Sequence, residues 1–173
     1  MKDGNRKAGV AMDVMGVTPH PFRMTASVPD DMLRLDDGDW AAWSGVACAA
    51  DGGRVSVVLV SIAVTPVDLA SRQPGDVLAR VLAARHLAGA GAADEFTTAG
   101  GQPAVRVSRT VTQRLRGKTV TTGQAQALVV FPGAGALGVV SAICPDPADL
   151  DRAASLVMRI AARMTVTAAP AAA

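Results

Sequence analysis

Short stretches rich in apolar and β-branched residues recur along this chain, and such stretches favour β-strands over helices. The clearest case is "RVSVVLVSIAV" (54–64), which is β-branched or apolar at nearly every position. Such a run predicts a central strand that is covered on both of its faces. Weaker strand patterns occupy 21–29, which ends at a proline, the stretch from Trp40 to Ala49, and "DEFTTAG" (94–100).

Two stretches change to helical spacing, in which apolar residues recur every three or four positions. The first covers 71–91 and ends in glycines. Its apolar stripe comprises Val77, Leu78, Val81, Leu82 and Ala84. The second follows Asp146, which fits an N-cap, with Pro147 at the first helical position and Asp149 in the first turn. Its apolar face comprises Leu150, Ala153, Ala154, Val157, Ile160, Ala161 and Met164.

Three further strands, at 102–115, 118–131 and 136–144, precede the second helix. "RGK" is typical of a hairpin turn between the first two, and "PGAG" of the turn that follows. Together with "DEFTTAG" they form a meander, because no helix lies between them that could make neighbours parallel. We therefore predict an α+β fold: a twisted, mostly antiparallel β-sheet of about six or seven strands packed with two main α-helices.

The length of 173 residues suits one domain with a substantial core. We predict a flexible arm at 1–19, a single α+β domain at 20–166 and a disordered tail at 167–173. The N-terminus starts with basic residues like a signal peptide, but its apolar stretch is short and Asp13 interrupts it. No window holds the roughly 18 apolar residues of a membrane span, so we predict no transmembrane segment and a cytoplasmic protein.

Charge and aromatic content argue against a nucleic-acid partner. The net charge is +2, with 17 basic residues spread among 15 acidic ones, and only 3% of the residues are aromatic. Proteins that bind nucleic acids usually carry a basic stripe or aromatic stacking platforms. The two cysteines, Cys48 and Cys144, are too few for a disulfide framework or a zinc site. We expect two reduced, buried thiols; one bridge stays an alternative if the sheet brings them together.

Cys144 is the strongest candidate for a catalytic nucleophile, because a helix N-terminus can lower the pKa of a nearby thiol. It lies two residues before the N-cap, however, and the sequence places neither His20 nor His86 within reach as its base. The acidic stretch 30–39 lacks the spacing of a calcium loop, and His86 has no partner at i+4 for a metal. We therefore predict no enzyme activity, no metal and no cofactor.

Two tryptophans and several arginines are the candidate partner-binding residues. The set comprises Trp40, Trp43, Arg106, Arg109, Arg114 and Arg116. The tryptophans are three apart, so on a strand they face opposite ways. Either one is an exposed binding anchor, or one lies in the core and the other is partly covered. Three of the arginines project from a polar hairpin face, either a solvated sheet face or a docking surface for an acidic partner. Arg109 falls on the apolar face, where a charge needs a partner or a pocket.

Three segments resemble the PsbP-like superfamily, which includes Mog proteins, LpqN-type lipoproteins and Eag-type secretion chaperones. "PFRMTASVPDDM" is similar to its opening strand, "GGQPAVRVSRTV" to its mid-chain strand, and "ALGVVSAICPDP" with the helix that follows to its closing elements. The resemblance covers roughly residues 20 to 166 and implies non-catalytic binding.

On that basis we predict a protein-binding accessory protein or chaperone-like adaptor, associated with a secretion system. The alternative is a protein that binds a lipid or small apolar ligand between the sheet and the helices. The strand at 54–64 and the helical stripes would line that cavity. The sequence leaves open whether the chain forms a homodimer.

Overall fold

The computed structural model describes residues 11–12, 22–35, 43–51, 53–69, 73–84 and 92–168. The strands in these ranges are β1 (Ala11–Met12), β2 (Phe22–Thr25), β3 (Met32–Leu35), β4 (Trp43–Asp51), β5 (Arg54–Pro66), β6 (Ala92–Thr97), β7 (Pro103–Leu115), β8 (Lys118–Phe131), β9 (Ala136–Cys144) and β10 (Thr165–Ala168). The helices are α1 (Pro74–Ala84) and α2 (Leu150–Ala161), with short 3-10 turns at Pro132–Ala134 and Pro147–Asp149.

Seven of these strands form one antiparallel sheet in the order β3-β4-β5-β9-β8-β7-β6. This architecture confirms the predicted α+β fold with its mostly antiparallel sheet and two helices. The last four strands of the large sheet form the predicted meander, and β9 then lies beside β5. A small separate sheet has the order β1-β2-β10.

The main core lies between the large sheet and α2, which packs across β7, β8 and β9. The predicted apolar face of α2 is buried there, and Ile160 is completely inaccessible. The helix ends at Ala161, so Met164 is buried beyond the helix rather than within it. Met24 of β2 and Val166 of β10 join the same core, which places the small sheet on this side of the large one.

The predicted N-cap before α2 is confirmed. Asp146 Oδ1 accepts a hydrogen bond from the backbone N–H of Ala148 at 2.9 Å. The first turn is a 3-10 turn at Pro147–Asp149, and α2 itself begins at Leu150. Proline suits this first turn because the N–H that it lacks would have no partner inside the helix.

Helix α1 packs on the opposite face of the large sheet. Val77 and Leu78 meet Leu128 of β8 and Val139 of β9, in a second and smaller apolar cluster. The described helix is shorter than the predicted 71–91, and it covers only β7, β8 and β9. Two helices on opposite faces therefore enclose one half of the sheet, while β3, β4 and β5 are packed on the α2 side alone.

Several expectations from the sequence are corrected by this arrangement. β5 is not covered on both faces, because α1 lies over β7, β8 and β9 and leaves Leu59 of β5 exposed. β3 forms within the acidic stretch 30–39, where no strand was predicted, and β10 was not predicted either. Ala11–Met12, inside the predicted flexible arm, pair with β2. The side chains of Trp40, His20 and His86 lie outside the described residues.

Candidate binding surface

An uncovered part of the large sheet is the main candidate for a binding surface. On the face that carries α1, the described residues place no helix over β3, β4, β5 and the end of β9. We name this area the open face. It is formed by the α1-facing side chains of β3, β4 and β5, together with Ser141 and Ile143 of β9.

Four apolar side chains line up across the open face. The backbone register pairs Leu33 with Val46, Val46 with Leu59, and Leu59 with Ile143, so one row crosses four neighbouring strands. Side chains at such paired positions lie about 5 Å apart, which makes the row continuous. Leu33 is 66% exposed, Leu59 41% and Ile143 43%. Apolar surface is therefore concentrated here in one strip.

The exposed apolar residues are all on one side of the sheet. The large hydrophobics that are exposed in the described chain are Leu33, Val55, Leu59, Leu115 and Ile143. Strand alternation and the pairing register place all five on the α1 side. Single exposed hydrophobics are ordinary on protein surfaces, but a contiguous patch marks an interaction site.

The open face is also free of Asp, Glu, Lys, Arg and His side chains at its described positions. Beside the apolar row runs a row of hydroxyls, in which Ser44 pairs with Ser61 and Ser61 with Ser141. Gln126 of β8 continues this row towards the area beneath α1. A partner could therefore cover the open face without burying an unpaired charge, which is the costliest event at an interface.

Trp43 does not lie on the surface. It is 3% exposed and belongs to the main core, because its position in β4 faces α2 and pairs with Ile62. Its indole ring lies over Gly45, where a Cβ atom would come within 2.3 Å of the ring. Trp43 therefore offers no surface to a partner, and its place in the predicted binding set is wrong. Trp40 lies outside the described residues.

The structure separates the arginines of the predicted basic face. Arg106 forms a partly buried ion pair with Asp94 of β6, so its charge is neutralised within the sheet. Arg114 and Arg116 are exposed at the far end of the β7–β8 hairpin. They follow Arg106 by eight and ten positions along the same hairpin, so the three do not form one surface.

Arg109 shares the α1-facing side of β7 with Val107, as the alternation predicts. Its Nη2 donates a hydrogen bond to Gln124 Oε1 on the neighbouring strand at 3.3 Å. Gln124 is itself paired with Ile143 of β9. Gln124 and Arg109 therefore extend the row of Leu59 and Ile143 across the next two strands. A polar edge with one cation therefore borders the apolar row.

The two cysteines lie on opposite faces of the sheet and cannot form a disulfide. Cys144 is buried against Gly123, and its burial raises the pKa of the thiol. A raised pKa disfavours the thiolate, which is the nucleophilic form. Cys48 is exposed on the open face, so the expectation that both thiols are buried is wrong for Cys48.

A polar cluster joins the start of β5 to the start of α2. Arg54 Nη2 donates to Asp146 Oδ2 at 2.8 Å and to Asp149 Oδ1 at 3.0 Å. Arg152 Nη1 donates to Ser56 Oγ at 2.5 Å and to the Ser56 carbonyl at 3.3 Å. The cluster borders a cavity of about 300 Å³. Because both arginines are engaged with their neighbours, the contacts tie the helix to the strand.

A cavity of about 350 Å³ lies between α1 and the strands β6 and β7. Leu78, Phe96 and Val105 line it together with Glu95. The sequence had placed an apolar ligand between the helices and the strand at 54–64, but β5 does not line this cavity. Its lining is mostly apolar, with Glu95 and Thr97 as the polar members, and its volume is near the lower limit for small-ligand sites.

Two negative findings hold for the described ranges. Neither helix there is long and apolar enough to cross a bilayer. Those ranges also contain no group of three or more His, Cys, Asp or Glu side chains that could hold a metal ion.

Solved structures identify the fold. The chain is similar to LpqN, a protein involved in cell envelope biogenesis of Mycobacterium tuberculosis, with 20% identity, a TM-score of 0.53 and 87% of each chain covered. It also matches a protein from Bacteroides thetaiotaomicron with 11% identity and a TM-score of 0.47, over 86% of this chain and 46% of that one. No family model and no curated protein matches. The chain therefore has an LpqN-like α+β fold.

Sequence reasoning missed the open face. Its apolar row draws one residue from each of four strands, which are separated in the chain by up to about a hundred positions. Each strand alone shows ordinary alternation, and the strand at 54–64 looked fully buried. Only the strand order and the position of α1 reveal that these four side chains are neighbours and uncovered.

Proposed function

We propose that this protein is a non-catalytic accessory protein that binds a protein partner through the open face. The observation that carries the proposal is the apolar row across four strands, in a surface whose described positions hold no charged side chain. Fully burying one such side chain contributes about 1.5–3 kcal/mol, so even partial burial of this row supplies several kcal/mol towards association. That gain is set against the entropy that association costs.

The shape of the open face favours a protein over a small ligand. A row that crosses four strands spans roughly 15 Å, because neighbouring strands lie about 4.8 Å apart. Small-molecule sites are concave and enclose most of the ligand. A flat sheet face of this width suits a packed helix or a second sheet. The alternative function, binding of a lipid or small apolar ligand, is supported by the mostly apolar lining of the α1 cavity, but its volume of about 350 Å³ is small for a lipid.

The non-catalytic role is supported by the environment of the buried thiol. Cys144 is completely buried, and its burial raises the pKa of the thiol, which disfavours the thiolate that a nucleophile needs. The similarity to LpqN supports a role in the cell envelope. The specific form that we propose is a chaperone-like adaptor of the PsbP-like superfamily, associated with a secretion system.

Site-specific photo-crosslinking in the native cell tests the proposal. The photoreactive residue p-benzoylphenylalanine is placed at Leu59 on the open face or, as a matched control, at Ser155, which is exposed on α2. We expect a discrete crosslinked protein from position 59 only, and its loss when Ile143→Asp puts a charge into the row. Equal products from both positions, or none from position 59, would show that the open face is not the binding surface.

A further inference from the structure

The β7–β8 hairpin extends beyond the rest of the large sheet. Among the described residues, β6 pairs with β7 only as far as Ser108, and β9 pairs with β8 only from Gly123 onwards. The hairpin itself continues to the pair Leu115–Lys118. We name residues 111–122 the hairpin arm. Its five residue pairs rise about 3.4 Å each, so it reaches roughly 17 Å past its neighbours.

The tip of the hairpin arm carries an arginine in an unusual conformation. The two turn residues, Arg116 and Gly117, have φ angles of 49° and 78°. Positive φ at both central positions is the type I′ geometry, which matches the strand twist and favours Asn, Asp or Gly at the first position. Arginine rarely adopts this left-handed region. Its presence there points to a role for its side chain rather than for its backbone.

Three cations surround this tip, and the hairpin arm contains no acidic residue. Arg114 is paired with Thr119 on the α2-facing side, Lys118 is paired with Leu115 on the α1-facing side, and Arg116 is at the apex. All three are exposed, and Leu115 between them is 58% exposed. The exposed Leu115 side chain is thus flanked by three positive charges at the end of the projecting hairpin arm.

We propose that the hairpin arm binds end-on to an anionic lipid surface, with Leu115 entering the interface and the three cations contacting lipid headgroups. Because the cations lie on both faces of the ribbon and at its apex, a groove on a protein that matched one face would leave the others unpaired. A plane of headgroups that receives the tip end-on reaches all three. This surface lies apart from the open face, so the inference goes beyond the proposed function.

The expected strength follows from the number of cations. Each basic residue near an anionic leaflet strengthens binding about fivefold, so three together strengthen it roughly 100-fold. Because the attraction is electrostatic, it weakens as added salt shortens the screening length. Binding through this arm alone is therefore reversible and dependent on salt.

Vesicle flotation of the full chain tests the inference. One set of vesicles is phosphatidylcholine alone, and the other contains about one third phosphatidylglycerol. We expect flotation only with the anionic set, and its loss between about 0.1 M and about 0.5 M salt. The triple variant Arg114→Gln, Arg116→Gln, Lys118→Gln should bind roughly 100-fold more weakly.

A second triple variant controls for net charge. Arg23→Gln, Arg159→Gln and Arg163→Gln remove the same charge from exposed positions on β2 and near the end of α2. This variant should still float with anionic vesicles. The inference is overturned if the wild type does not float, or if both triple variants lose binding equally. It is also overturned if the arm binds soluble polyglutamate and not vesicles, since the partner would then be an acidic protein.

A single substitution separates binding from folding at the tip. Asparagine is favoured at the first position of a type I′ turn, so Arg116→Asn should preserve or raise thermal stability. It should nevertheless weaken binding to anionic vesicles about fivefold, because it removes one cation. Unchanged vesicle binding by Arg116→Asn would contradict the role of the apex cation.

Discussion

Neighbouring residues on β5 show how differently the two faces of the large sheet are packed. Val58 faces α2 and is completely buried, whereas Leu59, the next residue, faces the α1 side and is 41% exposed. Both are large and apolar, so their chemistry does not explain the difference. The α2 side is closed by α2 and the small sheet, while α1 covers only the far half of the other side. Burial is thus decided by which element lies above a strand.

The largest expected difference between the two faces is the reactivity of their two cysteines. Cys48 on the open face should react with a disulfide reagent at once, whereas Cys144 is reached only when the protein opens. A domain stable by about 5 kcal/mol protects a core thiol by at least about a thousandfold. Reagent kinetics on Cys48→Ser and Cys144→Ser would measure both rates. Similar rates for the two thiols would show that the α2 side is not closed.

Truncating one large side chain on each face compares their contributions to stability. Ile160→Ala removes a completely buried side chain and should lower the free energy of unfolding by about 2–5 kcal/mol. Leu59→Ala should cost less than about 1 kcal/mol, because its side chain already contacts solvent. Urea denaturation measures both. A loss for Leu59→Ala as large as for Ile160→Ala would mean that another part of the chain covers the open face.

Close packing on the α2 side can be tested at a glycine. A Cβ on Gly123 would lie 2.4 Å from Cys144 Sγ, so Gly123→Ala should destabilise the protein by about 1–3 kcal/mol. Adding Cys144→Ala removes the clashing sulfur and should restore part of that loss. Gly75→Ala is the control, because nothing lies within 4 Å of its Cβ position. Calorimetry on these three variants and the wild type measures the differences. A double variant no more stable than Gly123→Ala would show that the contact with Cys144 is not the cause.

The smallest effect concerns the contact between β5 and the start of α2. The hydrogen bond from the Ala148 N–H, followed by the one from Arg54, lowers the pKa of Asp146. A carboxylate whose folded-state pKa is lowered contributes stability above its unfolded pKa, and this contribution is lost as the pH falls through the folded pKa. Asp146→Asn should therefore reduce the acid dependence of the melting temperature slightly. An identical pH profile for wild type and variant would contradict this assignment.

Much of the fold could be predicted from local patterns. The spacing of apolar residues from Leu150 to Ala161 defined α2. Asp146 was recognised as the N-cap of the turn that leads into it, because few side chains can accept the free N–H groups of a first turn. The hairpin turn at Arg116–Gly117 and the meander followed from turn residues and the absence of intervening helices. Each of these features depends on contacts between residues that are close in the sequence.

The binding surface could be predicted less well. Trp43 was expected as a candidate anchor and is instead a core residue over Gly45. Alternation alone shows that residues in a strand face opposite ways, but it does not show which side carries a helix. Arg114 and Arg116 kept their predicted exposure, while Arg106 is neutralised by Asp94 of a neighbouring strand.

The sequence by itself determined most of the elements of this protein and the β7–β8 hairpin, because periodicity, caps and turn residues act over a few positions. Only the tertiary structure decided that β9 lies beside β5 and that α1 covers the far half of one face. Those two choices bring Leu33, Val46, Leu59 and Ile143 into one exposed row. The row has no local signature, since strand order and helix placement are set by the packing of the whole core.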